Sequence, residues 1–383
     1  MFRTIKLKLP YDRPLVETAK QFKEATQIVL DYGFENKTFN KNKLNKGTYR
    51  TVRDRIPTLP SALVQTARDT ASETLKSTKL EKKIHKKSLT VRYDNRTFKF
   101  YPDSHTVSLT TVKGRVLYPV AHSPLIDKYK GEYTNAQLVI DEKRNRIFIM
   151  VQVNIPDKEV VKKEDVKVLG IDRGVKNIAV LSNNVFFNSK HLREVKGRYQ
   201  YLKRKLQHLG TRSAHRKLKK LSGRERRFVR DVNHVISKNI VSLPYDLFSL
   251  EALEPAKMKH NGKGKRFRRS LGSWSPFELE KFIEYKAKDA GKTVIYVNPK
   301  HTSQRCSKCS YVDKNNRHGS VFKCINCGFE LNADLNASRN IEVLGRSEYF
   351  RLMSTSQSLR FNETPRTGEG RTATSSEALA RSS

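Results

Sequence analysis

The sequence predicts an α/β chain that carries a β-rich region near its N-terminus, a helical insertion within that region, and a small cysteine-clamped ribbon near its C-terminus. Three observations lead there. Apolar residues alternate with period two between positions 88 and 155, and recur at helical spacing before that stretch. Two later apolar runs are short and each ends in an acid. All four cysteines fall in two CxxC pairs separated by fourteen residues.

Taken in order, MFRTIKLKLP alternates apolar and basic residues as an edge strand does. Helical patterns follow around PLVETAKQFKEATQIVLDYGF and LPSALVQTARDTASETLKSTKLEKKIHKK, the second starting after Pro60 with Ser61 as N-cap. The segments TFKFYPDSHTVSLTTVKGRVLYPV and AQLVIDEKRNRIFIMVQV read as hairpins turning at PDSH, KG and EKRNR. A charged linker, PDKEVVKKEDVK, leads into a further region at about residue 166. The stretch 354–383, rich in Ser, Thr, Gly and Arg and without apolar periodicity, is expected to be a disordered tail.

Composition narrows the function. In 383 residues there are 77 Lys and Arg against 38 Asp and Glu, a formal charge of +39. That excess exceeds what solubility needs and fits a protein that neutralises many phosphates. A basic membrane-surface protein is disfavoured by the lack of a long apolar run or a lipidation signal. With 37% hydrophobic residues the chain is expected to form two or three domains with real cores.

The pairs Cys306/Cys309 and Cys324/Cys327 have the spacing of a zinc ribbon, in which two knuckles supply four thiolates to one tetrahedral ion. Two disulfides are the alternative, but they suit a small secreted protein, and this chain is long, shows no signal peptide and has no other cysteine. Four thiolates close the coordination sphere, so such a zinc would be structural and the chemistry must lie elsewhere.

That chemistry is sought in three acids. VKVLGIDRGVKNIAVLS reads as a strand, a tight turn at Arg173-Gly174 and a returning strand, with Asp172 where the first strand ends. PYDLFSLEALEP reads as a short apolar strand ending at Glu251, and Asp334 opens the helical ADLNASRNIEVL. Singly, each acid suits a turn or a cap. Together, three carboxylates can ionise only beside a compensating cation, and all-oxygen ligation suits magnesium or manganese. Two such ions about 3.5–4 Å apart serve phosphodiester hydrolysis. Order and spacing do not by themselves bring the acids together.

The motifs GIDRGVKNIAV, LEALEPAKM, TSQRCSKC, the Arg of KNNR, CINCG and NADLNASRNI resemble, in order and spacing, those of TnpB. This is the transposon-encoded RNA-guided DNA endonuclease family related to type V CRISPR effectors. The resemblance covers nearly the whole chain and is most specific over 166–341. It implies an α/β plus β-barrel fold. A RuvC nuclease domain of the RNase H type (166–300 and 331–350) would carry an inserted zinc ribbon (301–330). A wedge β-barrel (1–10 and 88–160), interrupted by a helical recognition domain (11–87), would precede it. The same resemblance makes Asp172, Glu251 and Asp334 the acids that hold Mg2+ or Mn2+, and Cys306, Cys309, Cys324 and Cys327 the ligands of Zn2+. It also makes the ribbon a rigid module that delivers Asp334. Arg317 would reach the scissile phosphate, although a surface arginine on a ribbon loop is the plainer reading. Arg173 departs from the apolar or small residue usual after the first acid.

The stretch 193–230 carries fifteen Lys and Arg against two acids, with Leu192, Val195, Tyr199, Leu202, Leu206 and Leu209 at helical spacing. It predicts two helices broken near GTRS, with a basic face for phosphate that includes Lys203, Arg204, Lys205, Arg216, Lys217, Lys219 and Lys220. A second cluster, KMKHNGKGKRFRRS, holds Lys265, Arg266, Arg268 and Arg269 in what reads as a mobile basic loop. Trp274, Phe277, Phe282 and Ile283 read as helix core.

The family implies a guide RNA (omega RNA) and double-stranded target DNA as partners, with protein reading a short adjacent DNA motif and RNA pairing reading the rest. It implies a cytoplasmic, nucleoid-associated place in a prokaryotic host. Three other classes stand beside the nuclease: a nuclease-inactive RNA-guided repressor on the same fold, a transposase performing strand transfer, and a basic zinc-ribbon RNA-binding protein. The three acids separate the nuclease from the repressor and the RNA-binding protein; only the resemblance separates it from the transposase.

Overall fold

The computed structural model describes residues 1–158, 164–253 and 276–354. They divide into two compact units, Met1–Pro156 and the chain from Asp157 onward.

In the first unit, β1 (Phe2–Leu9) buries Ile5, Leu7 and Leu9 and turns Lys6 and Lys8 outward. It forms the edge of an antiparallel sheet completed by β2 (Leu89–Tyr93), β6 (Glu132–Asp141) and β7 (Arg146–Asn154), in the order β1-β7-β6-β2. Asn145, left-handed at φ 48°, closes the turn between β6 and β7, a conformation that asparagine tolerates. Between β1 and β2 lie α1 (Arg13–Glu35), α2 (Lys41–Arg55) and α3 (Ser61–Ser77).

Two helical expectations change. Helix α2 was missed because its buried face is only Leu44, Thr48 and Val52, and an internal Gly47 breaks the pattern. The Tyr32 ring lies against that glycine: a Cβ there would be 2.1 Å from Tyr32 Cζ unless the ring moved. Ser61 is not the cap of α3; Pro60 holds that place without a side-chain cap bond. The helix ends at Ser77, ahead of left-handed Lys79 and Leu80.

The expected wedge barrel is corrected. Strands β3 (Phe98–Tyr101), β4 (Thr106–Thr111) and β5 (Gly114–Pro119) form a second, separate three-stranded sheet rather than closing the first. The reason is the turn after β2. Asp94 accepts hydrogen bonds from Arg96 N at 3.1 Å and Thr97 Oγ1 at 2.9 Å, which folds the chain back and starts a new ladder. The sheets then meet through side chains such as Phe100, edge-on to Tyr133 at 4.9 Å. A short helix, α4 (Pro124–Lys128), follows β5.

The second unit is built on a five-stranded sheet of β8 (Val168–Asp172), β9 (Asn177–Leu181), β10 (Phe186–Asn188), β11 (Leu247–Glu251) and β12 (Thr293–Val297). Its order is β10-β9-β8-β11-β12; β9 runs antiparallel to β8, while β11 is parallel to both β8 and β12. One face packs on α6 (Arg212–Ser242) and α7 (Pro276–Asp289) through Leu169, Ile171, Phe248, Leu250, Ile240 and Ile283. The other packs on α8 (Ala333–Ser354) through Val168, Leu247, Ile295 and Ile341.

Small residues let α8 lie close. Gly170 and Ser249 are register partners on β8 and β11. A Cβ on Gly170 would sit 2.0 Å from Ser338 O, and Ser249 Oγ donates to Ile341 O at 2.8 Å. The close packing sets where the first turn of α8 arrives, and with it Asp334.

Helix α5 (Lys190–Leu209) precedes α6, with Gly210 at φ 60° between them and Thr211 Oγ1 accepting from Ala214 N at 3.2 Å. Of the apolar stripe on α5 only Leu192 is buried; Leu202 and Leu209 are exposed. The ribbon contributes β13 (Arg317–His318), β14 (Val321–Lys323) and β15 (Glu330–Asn332) as a small antiparallel sheet. Lys265, Arg266, Arg268, Arg269, Trp274 and the stretch 355–383 lie outside the described residues. No described helix is long and apolar enough to cross a membrane.

Candidate active site and metal-binding ribbon

The parallel register of β8 and β11 pairs Ile171 with Leu250, so Asp172 and Glu251 come next, side by side at the carboxyl ends of neighbouring strands. Asp334 arrives from the other direction, in the first turn of α8. Asn332 Oδ1 accepts from Asp334 N at 3.0 Å and Leu335 N at 3.2 Å, which caps the helix, and a carboxylate there is favoured by the helix dipole. Asn177 at the start of β9 donates its Nδ2 to Asp334 Oδ2 at 2.9 Å.

The three charges interact. Burial pushes the Asp172 carboxyl up to about 8, and the charges of Glu251 and Asp334 add to it against Arg317 and Arg173. Glu251 is also raised, by burial, against a hydrogen bond from Thr302 and the two arginines.

Each arginine has a distinct place. Arg317 donates Nη2 to Asp334 Oδ1 at 2.9 Å, so the ribbon arginine reaches into the acid cluster. Arg173, the departure from the family pattern, is buried. It pairs with Glu280 of α7 and donates Nη2 to Glu251 O at 2.7 Å, tying β8, β11 and α7 together.

The four thiols lie within 4.8 Å of one another, the one such group of His, Cys, Asp or Glu donors among the described residues. Cys306 and Cys327 are 3.7 Å apart and Cys309 and Cys324 3.6 Å, close to the about 3.8 Å edge of a tetrahedron with zinc–sulfur bonds of about 2.3 Å. The knuckles match. Cys306 N donates to Tyr311 O and Cys324 N to Phe329 O, both at 2.9 Å. The backbone N–H of Tyr311 bonds the Cys309 thiol and draws it down to about 6; the Phe329 N–H makes the same bond to Cys327, but burial and the three neighbouring thiols outweigh it and push that thiol up to about 12. The donor set and spacing fit a closed structural metal site.

Asparagines that the sequence reading passed over fasten the ribbon to α8. Asn336 Oδ1 accepts from Ser307 N at 3.0 Å, and its Nδ2 donates to Arg305 O at 2.8 Å. Asn340 Nδ2 donates to Thr302 O and Arg305 O. Both are buried. Their signal was legible: Asn332, Asn336 and Asn340 recur every four residues in NADLNASRN, one stripe of a helix. Thr302 and Asn177 lie within the motifs TSQRCSKC and GIDRGVKNIAV, though no periodicity marks them, and Glu280 carried no signal.

The basic residues are placed less uniformly. Arg204, Lys205, Arg216, Lys217, Lys219 and Lys220 are exposed on α5 and α6. Lys203 differs: it is partly buried and paired with Glu225 across the two helices. Phe282 and Ile283 are buried, with Phe282 stacked on His234 at 3.9 Å.

Two families match the chain: one described as Cas12f1-like, TNB domain, over residues 277–341, and one described as Probable transposase over residues 149–261. The chain is 32% identical over 240 residues to the CRISPR-associated endodeoxyribonuclease Cas12f1 of Sulfoacidibacillus thermotolerans, covering 56% of this chain and 54% of that one. It is 30% identical over 260 residues to the TnpB-like protein MJ0751 of Methanocaldococcus jannaschii, covering 64% of this chain and 91% of that one. Among solved structures, the mini-RNA-guided endonuclease CRISPR-Cas_phi3 aligns with 90% of this chain and 92% of its own at a TM-score of 0.54 and 11% identity, a likeness of fold. The chain spans about half the length of the Cas12f1 relatives it matches.

Sheet, ribbon and matches together define the class, a type V-related effector. Within that class the chain belongs to the TnpB family.

Proposed function

We propose that this chain is an RNA-guided DNA endonuclease that hydrolyses phosphodiester bonds at a RuvC-type site formed by Asp172, Glu251 and Asp334. The observation that carries the reading is the placement of Asp172 and Glu251 at adjacent strand ends, with Asp334 close enough to raise the Asp172 pKa. The relatives' names, an endodeoxyribonuclease and a TnpB-like protein, support it.

Three oxygen-donor acids that burden one another with charge suit Mg2+ or Mn2+, and these residues would hold it. When bound, the ions supply water activation and stabilisation of the leaving oxygen. The chain's own groups do the rest. Asn177 and Arg317 orient Asp334. Arg317, already in the cluster, would pass from Asp334 to a non-bridging phosphate oxygen and offset the charge that develops there. Zn2+ on the four cysteines keeps the ribbon rigid. The exposed cations of α5 and α6, with Lys265, Arg266, Arg268 and Arg269, serve guide RNA (omega RNA) and the target duplex beside a short DNA motif.

The test pairs cleavage with gel shift on one DNA, using purified ribonucleoprotein. Asp172→Ala, Glu251→Ala or Asp334→Ala should lower cleavage by orders of magnitude and leave binding in place. An Asp172→Ala protein that cuts like its parent removes the assignment. A parent that binds but never cuts a guided target points to the repressor.

A further inference from the structure

The ribbon stem, residues 298–305, touches a second acid besides the one it precedes. Thr302 is 2% exposed, and its Oγ1 lies 2.5 Å from Glu251 Oε1 and 3.0 Å from Pro299 O. A hydroxyl has one proton, and a carboxylate is the stronger acceptor, so an ionised Glu251 draws that proton and is held by it. The same residue is fixed from behind: its carbonyl accepts from Asn340 Nδ2 at 2.9 Å, and that amide also donates to Arg305 O at 2.7 Å. Arg305 O accepts from Asn336 too, and Asn336 accepts from Ser307 N, the amide next to Cys306.

An unbroken run of buried and partly buried hydrogen bonds therefore leads from the first cysteine knuckle to the Glu251 carboxylate. We infer that Thr302 is a positioning residue through which the ribbon stem orients Glu251. The ribbon thus sets two of the three acids: Asp334 by way of α8, and Glu251 by way of this hydroxyl. The inference rests on the reading of Glu251 as a metal ligand. A threonine suits the task, because its β-branch restricts χ1 and the hydroxyl cannot wander. If Thr302 served only its own turn, its hydroxyl would need nothing beyond Pro299 O, and Glu251 would be indifferent to it.

The experiment measures Mn2+ binding to the full chain without nucleic acid, by the electron paramagnetic resonance signal of free Mn2+. Zinc content and melting temperature are recorded for each protein. Thr302→Val, which keeps the shape and loses the hydroxyl, should weaken Mn2+ binding about tenfold while zinc stays at one per chain, as expected when a ligand loses its orienting partner. Thr302→Ser, which keeps the hydroxyl, should recover most of that loss. Cys324→Ser should lose zinc and weaken Mn2+ binding at least as much. If Thr302→Val misfolds, Thr302→Ala against Thr302→Ser gives the same comparison. Parental Mn2+ affinity in both hydroxyl-free variants, with Glu251→Ala impaired, overturns the inference and spares the site. Parental affinity in Glu251→Ala overturns the site itself.

Discussion

At the carboxyl ends of β8 and β11 the charged groups are held by named neighbours, whereas along α5 and α6 most of the cations face solvent. Asp334 has Asn177 and Arg317, Glu251 has Thr302, and Arg173 has Glu280. On the hairpin only Lys203, among the proposed phosphate contacts there, has an ion-pair partner drawn from the facing helix. The acid end is an over-determined geometry in which one substitution disturbs several groups. The hairpin is a density of charge, and its effect should follow the number of cations rather than their identity.

The sharpest way to break the first region is through its packing. Gly170→Val would force a side chain into Ser338 O and push α8 off the sheet. Overpacking of this kind typically costs about 1–3 kcal/mol, and here backbone blocks the way, so the upper end or more is expected. Melting of the variant would show it, with loss of cleavage alongside. An unchanged melting temperature would mean that α8 is not seated as described.

Next comes the buried pair. Arg173→Met leaves Glu280 without its guanidinium, a loss of about 3–5 kcal/mol. The double change Arg173→Met with Glu280→Leu should recover most of it, since an apolar pair replaces an ionic one. Two single effects that simply add would show that the pair does not act as a unit.

How much of this was readable beforehand depends on whether the signal was local. The ends of β8 and β11 were legible as short apolar runs stopped by an acid, and the ribbon as cysteine spacing. The separateness of the two sheets in the first unit was not, because it turns on hydrogen bonds within one bend at Asp94. Helix α2 escaped because tertiary packing of Gly47 under Tyr32 outweighs a weak local pattern. Arg173 read as a departure from the family pattern, with nothing local to name its partner. Its partner Glu280 stands 107 residues away, and no periodicity links the two.

The Asp172 carboxyl allows the comparison to be sharpened by pH. Its pKa in the folded chain is raised to about 8, so the folded state holds a proton that the unfolded state has lost above about 4. The stability tied to that proton is present at low pH, declines as pH rises from about 4 to 8, and falls no further beyond. In chelator, Asp172→Asn should therefore gain melting temperature relative to the parent across this window. Added Mg2+ should narrow the gap. A gap that does not change with pH would place Asp172 outside the mutual field of the three acids.

On the hairpin, charge reversal at Arg204, Lys205, Arg216 and Lys217 should weaken RNA binding and flatten its salt dependence, with roughly one unit of log–log slope lost per phosphate contact. Lys203→Glu should act more through helix packing, because it sets two acids against each other at Glu225. Equal slopes before and after the first set of changes would move the RNA to another surface.

The smallest effect lies in the ribbon, where the two knuckles provide an internal control. Ser310 N donates to Cys306 O and Gly328 N to Cys324 O, both at 2.9 Å, so the two residues hold equivalent places. Both are left-handed, at φ 63° and 68°. Glycine adopts that conformation freely, while an L side chain there costs about 1–2 kcal/mol. Ser310→Gly relieves that strain but loosens the unfolded chain by about 0.4–1 kcal/mol, which leaves a net gain of about 0.5 kcal/mol. Gly328→Ser runs the same change in reverse, adding the strain while stiffening the unfolded chain, and should lose about 0.5 kcal/mol. Zinc retention against a competing chelator reads both, because metal affinity in such a module includes its folding energy. About twofold tighter retention is expected for Ser310→Gly and about twofold weaker retention for Gly328→Ser. If the two substitutions shift retention in the same direction, the knuckles are not equivalent, and the strain at Ser310 is balanced by something its side chain does.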